Sequence, residues 1–228
     1  MSRQGRGLLR SGWLWLLIPL LGLHLLATAD FLASRALHTM QSRYGDEGVA
    51  LLQAWNRLMT LHQHSSEQEQ LAEINDFFNR NIRFGEDTDL WGQSDYWATP
   101  LETLGLRAGD CEDYTIAKYL SLLKLGIPQE KLRLIYVRAS IGGAQSRVSQ
   151  AHMVLGYYES PEALPLILDN LVSRILPADQ RPDLKPVFSF NSFGLWVGNN
   201  PESQADPTAR LSRWRDVLTR MQQEGFYE

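Results

Sequence analysis

The chain has 228 residues, 44% of them hydrophobic and 21% charged, a composition that suits one sizeable globular domain. A formal net charge of -4 gives no basic footprint for nucleic acid, and the lack of internal repeats excludes a solenoid. With one cysteine in the whole chain, no internal disulfide can form.

The N-terminal segment reads as an export signal. Arg3, Arg6 and Arg10 precede residues 11–26, which are apolar apart from His24, and Ala27, Thr28 and Ala29 supply the small-x-small pattern of a signal peptidase site. Residues 1–29 are therefore expected to be a signal peptide and 30–228 a single domain. An uncleaved anchor is the alternative, because the apolar run can just span a bilayer. Either reading places the domain outside the cytoplasm. A lone thiol in an oxidising compartment is a liability unless it performs chemistry or pairs with another chain. A buried, inert cysteine is the plainer alternative.

Beyond the leader, Val49, Leu51, Leu52, Trp55, Leu58 and Leu61 recur at helical spacing over residues 46–62. Ser66 and Glu69 form a Ser-x-x-Glu capping box that predicts a second helix, with Leu71, Ile74, Phe77 and Phe78 on its buried stripe. Residues 84–100 read as an irregular loop closed by Pro100. A third helix is expected over 111–125, stopped by Gly126 and Pro128. Strand patterns follow at 132–138, 151–158 and 164–168, with one or two more within 189–197 and a terminal helix over 208–223. Helices first and strands afterwards predict an α+β domain with an antiparallel sheet.

Cys111 stands where a Gly-containing turn meets a helix N-terminus. Unpaired N–H groups and the positive end of the helix dipole favour a thiolate there. Asp110, Glu112 and Asp113 oppose that effect unless a cation offsets them. His152 is the base candidate by elimination, since the other four histidines lie in the leader or in the N-terminal helices. If strands 151–158 and 164–169 form a hairpin turning near Ser160 and Pro161, His152 faces Asp169 directly. A carboxylate–imidazole bond would then fix the ring tautomer and leave the other nitrogen for the thiol. A structural histidine and a strand-end aspartate are the alternatives.

Gly-Asp-Cys-Glu-Asp-Tyr at 109–114, Leu-Gly-Ile-Pro at 125–128, Ala-His-Met-Val-Leu at 151–155 and Leu-Asp-Asn at 168–170 resemble the blocks of the bacterial transglutaminase-like cysteine proteinases. The resemblance implies a transglutaminase-like, papain-like fold with helices packed on an antiparallel sheet, and a Cys111–His152–Asp169 triad. It implies a periplasmic endopeptidase that cuts the N-terminal region of a large repeat-containing surface adhesin, commonly at a di-alanine site, and so releases biofilm. It also implies Ca²⁺ dependence and sequestration by an inner-membrane cyclic-di-GMP receptor. The family's calcium carboxylates map onto Asp110 and Glu112, and hard carboxylate oxygens suit Ca²⁺. Further ligands would come from backbone carbonyls, water or the acidic loop holding Asp87, Asp89 and Asp95. A solvated acidic helix start is the alternative. For the oxyanion, the Cys111 N–H is one donor, and Gln93 or Trp97 is a candidate for a second. A transamidase on the same triad and a non-catalytic binding module are the rival functions.

Overall fold

The computed structural model describes residues 34–143, 145–198 and 203–226, so the expected leader, residues 1–29, lies outside the described residues. Helix α1 (Ser34–His62) is two helices joined at Gly45, whose φ of 64° lies in the left-handed region that glycine adopts without strain. The second arm begins where the apolar periodicity begins. Helix α2 (Glu67–Asn81) carries the expected capping box: Glu69 N–H donates to Ser66 Oγ at 3.3 Å, and Ser66 N–H donates to Glu69 Oε2 at 3.1 Å. Leu71, Ile74 and Phe78 are buried, while Phe77 is only partly so.

The segment expected to be an irregular loop is more ordered than that. It contains β1 (Arg83–Phe84), the short helix α3 (Asp87–Trp91) and, from Pro100, helix α4 (Pro100–Leu106). The physical reason lies in Thr99 and Glu102, a second capping box, with Pro100 at the first helical position, where its missing N–H does no harm. Strand β2 (Ala108–Gly109) pairs in parallel with β1 and leads straight into α5 (Cys111–Lys124).

The strands β3 (Leu132–Ser140), β4 (Ser149–Tyr157), β5 (Leu166–Leu168), β6 (Leu176–Pro177), β7 (Leu184–Phe190) and β8 (Leu195–Val197) come next in the chain. They form one antiparallel sheet in the order β6-β5-β4-β3-β7-β8. Helices α6 (Pro207–Arg210) and α7 (Ser212–Glu224) end the described chain. Helix α5 packs on β3 and β4 and is backed by α2. The main core, with Trp55, Tyr119, Phe190 and Trp214, fills the space between sheet and helices. A small apolar cluster of Ile135, Val137, Val154 and Ile167 sits on the sheet's other face. Two bonds fix α5 within this layer: Trp55 Nε1 donates to Ser121 Oγ at 2.9 Å, and Thr115 Oγ1 donates to the Met153 carbonyl at 3.1 Å. A β-bulge shifts the β3–β7 register between Tyr136 and Val137, beside the cleft that Tyr136 lines.

Candidate active site

The turn from β2 to α5 presents the thiol. Asp110 caps the helix, its Oδ1 accepting from the Glu112 and Asp113 N–H groups at 3.1 and 3.4 Å. Asp113 closes the box by accepting from Asp110 N–H at 3.2 Å, and its other oxygen accepts from Ala98 N–H at 2.7 Å. Gly109 makes room for this: a Cβ there would lie 2.7 Å from Asp113 Cβ and Oδ2. Cys111 is thereby held as the first residue of α5, partly buried, at the wall of a cleft of about 590 Å³.

The thiol donates to Glu112 Oε2 at 2.6 Å. Burial pushes its pKa up, and the charge of Glu112 and this hydrogen bond push it further. The dipole argument for a thiolate is therefore outweighed locally by desolvation and by the neighbouring carboxylate.

His152, at 2% exposure, lines the same cleft from β4. Its Nε2 meets Asp169 Oδ1 at 2.8 Å. The register differs from the expected one. Leu155 pairs with Leu168, not with Leu166, and Asp169 lies one residue past the end of β5. The displacement is an even number of residues, so both side chains stay on one face, and they meet diagonally. The connection between β4 and β5, residues 158–165, is irregular, and nothing in its composition sets that offset.

Asp169 is held from several sides. Arg181 Nη2 donates to its Oδ2 at 2.7 Å, and Leu171 N–H donates to its Oδ1 at 3.0 Å. Burial raises the Asp169 pKa, but the bond and charge of His152, with Leu171 and Arg181, outweigh it and hold the carboxyl down at about 2. Arg181 is itself buried and also pairs with Asp183 at 2.8 Å. Sequence reasoning missed Arg181, because an isolated arginine after a run of loop residues carries no spacing signal.

A set of acids lies beside the thiol. Carboxylate atoms of Asp87, Asp110 and Asp113 lie within 4.8 Å of one another, as do ligand atoms of Asp110, Cys111 and Glu112. Asp87 Oδ2 accepts from Tyr96 N–H at 2.6 Å, and its buried Oδ1 has no partner. Burial and mutual repulsion hold Asp110 and Asp113 well above the usual carboxylate range. Among the described residues, no Lys, Arg or His forms an ion pair with Asp87, Asp110, Glu112 or Asp113. Carboxylates gathered without a cation beside them, one of them with an unpartnered buried oxygen, fit a hard cation. Of the acids expected to help, Asp87 joins the set. Asp89 is exposed, and Asp95 lines the cleft but pairs with Arg213 at 2.7 Å.

Neither side chain offered for the oxyanion reaches the cleft wall. Gln93 is exposed, and Trp97 is buried, stacked on Phe190, with Nε1 donating to Asp95 Oδ1 at 3.1 Å.

Comparison with known proteins gives a consistent result. The family model for bacterial transglutaminase-like cysteine proteinase (BTLCP) matches residues 51–182. Legionella pneumophila LapG, in a structure of EGTA-treated protein, is 38% identical, with a TM-score of 0.71; the match covers 85% of this chain and 100% of that one. A calcium-bound structure of Legionella pneumophila LapG is 36% identical over 83% of this chain and 99% of that one, also with a TM-score of 0.71. No curated protein matches the chain.

Proposed function

Because the chain belongs to the bacterial transglutaminase-like cysteine proteinase family and is a cysteine protease of the transglutaminase-like fold, we propose that Cys111, His152 and Asp169 carry out its peptide hydrolysis. The observation that carries this reading is the 2.8 Å bond from His152 Nε2 to Asp169 Oδ1 at the cleft that also holds Cys111. With Nε2–H donated to Asp169, the lone pair of the ring is left on Nδ1. Nδ1 takes the thiol proton as Sγ attacks the scissile carbonyl, and the imidazolium then returns that proton to the departing amine. Water, deprotonated by the same nitrogen, hydrolyses the thioester and restores the thiol. Asp169 keeps the tautomer and stabilises the imidazolium throughout.

Glu112 must leave the thiol for this to begin, since a carboxylate hydrogen-bonded to Sγ opposes thiolate formation. We read Asp110 and Glu112, with Asp87 close to Asp110, as ligands of Ca²⁺. A bound Ca²⁺ would supply positive charge that offsets the carboxylates beside Cys111. The kinship with calcium-bound LapG supports that choice of metal.

The substrate proposed is the N-terminal region of a large repeat-containing surface adhesin, cut in the periplasm to release biofilm, with an inner-membrane cyclic-di-GMP receptor as regulator. Support comes from the family resemblance and from the leader pattern in residues 1–29. The test incubates residues 30–228 with such a fragment, comparing wild type with Cys111→Ala, each with Ca²⁺ or a chelator. A discrete cut only by wild type with Ca²⁺ is expected. Cutting that survives chelation would remove the calcium assignment and keep the triad. Amine incorporation without a cut would replace hydrolysis by transamidation.

A further inference from the structure

We infer that Lys118, Asn75 and Asn79 are positioning residues that hold Asp169, and through it His152, in the geometry that hydrolysis requires. The inference rests on the triad reading and extends it to three residues that lie outside the cleft.

Lys118 stands about two helical turns beyond Cys111 on α5, and it is 1% exposed. Its Nζ donates to Asn75 Oδ1 at 2.9 Å, Asn79 Oδ1 at 2.8 Å and the Asp169 carbonyl at 3.1 Å. An ammonium has three protons, and here three oxygens take them; a neutral amine would leave one oxygen unfilled. Burial pushes the Lys118 pKa down to about 7, against the charges of Asp169 and Asp76. None of the three acceptors is a carboxylate. Burying an ammonium on neutral oxygens costs stability relative to an apolar side chain of similar shape, so packing alone explains the cluster poorly.

The asparagines complete a clamp. Asn79 Nδ2 donates to the same Asp169 carbonyl at 2.8 Å, and Asn75 Nδ2 donates to the Ser173 carbonyl at 2.6 Å. The segment 169–173 is thus fastened at both ends to α2. Between the fastenings, Asn170 and Leu171 line the cleft, and the Leu171 N–H shares Asp169 Oδ1 with His152. Arg181 fixes the carboxylate of Asp169 while Lys118 and Asn79 fix its backbone. Release of the backbone end would let the carboxylate swing about its own Cα, and small misplacements at a reacting centre are costly in rate.

The experiment compares wild type, Lys118→Met, Asn79→Ala and a control, Ile74→Ala, in the full chain. Ile74 is fully buried on α2 and takes part in none of the clamp's hydrogen bonds, so its variant reports destabilisation of that helix alone. Turnover is measured on the adhesin fragment, and the His152 Nε2–H proton is followed by NMR. Lys118→Met and Asn79→Ala are expected to lower kcat by roughly 10- to 100-fold with KM changed less than about threefold. Both are expected to broaden or abolish the Nε2–H resonance, which Ile74→Ala leaves sharp. A folded Asn79→Ala protein with wild-type kcat and an unchanged resonance overturns the inference, and it decides the matter if Lys118→Met does not fold. If wild type cuts no fragment, the proposed substrate fails, yet the resonance still separates a clamp from inert packing.

Discussion

Asp169 gathers contacts well beyond its bond to His152, and Arg181 is the heaviest of them. With side-chain exposures of 3% and 0%, the Arg181–Asp169 pair is out of water, so removing Arg181 leaves a buried carboxylate that keeps His152 and the Leu171 N–H but loses its guanidinium. Arg181→Met is expected to cost about 3–5 kcal/mol in urea unfolding at neutral pH. A loss below about 1 kcal/mol would show that the carboxylate finds another partner. The same contacts set the pH dependence. The folded pKa of Asp169, about 2, lies below its ordinary 3.8, so its stabilisation is present above that ordinary value and is lost as pH falls toward 2. Arg181→Met should move that loss to higher pH. At this scale the meeting of Cys111 and His152 at one cleft, and of His152 with Asp169, was legible from residue type and order. Arg181 and Lys118 were not, because a charged side chain shows its burial only once the chain has folded around it.

Short elements set the site more than long ones do. The long helices and the strands β3 and β4 announce themselves by period, and their bounds fall within a few residues of those expected; the first arm of α1, the start of β7 at Leu184 and the break between α6 and α7 do not. Helix α4 escaped notice although Thr99 and Glu102 spell its start, since Pro100 reads equally well as the close of a loop. The β4–β5 offset escaped because a three-residue strand has too few side chains to specify its own register. The two-residue strand β2 matters because it delivers the chain into the turn that carries the thiol: Gly109 lets the Asp113 carboxylate fold back under that turn. Gly109→Ala is expected to destabilise the protein by about 1–3 kcal/mol and to reduce cleavage by more than its folded fraction predicts. Activity that tracks the folded fraction alone would show that the turn tolerates the methyl group.

For the molecule as a whole, the acid set couples the α3 region to the start of α5, and a cation bound there would join segments that otherwise repel. Ca²⁺ at about 100 times its Kd should stabilise the fold by about 2.7 kcal/mol, raising the melting midpoint by roughly 5–10 °C. Asp110→Asn should abolish most of that rise; a rise of the same size in the variant would place the ion elsewhere. The order of the sheet carries a different consequence. Its borders are β6, two residues long with Pro177 as one of them, and β8, three residues long. Proline has no N–H to offer a neighbour, and so short a border cannot template a further strand. Addition of a second copy's strand at either of these two borders is thereby disfavoured. Concentrated solutions of the protein should scatter light as single molecules, and time-dependent fibril growth would contradict that reading of the borders.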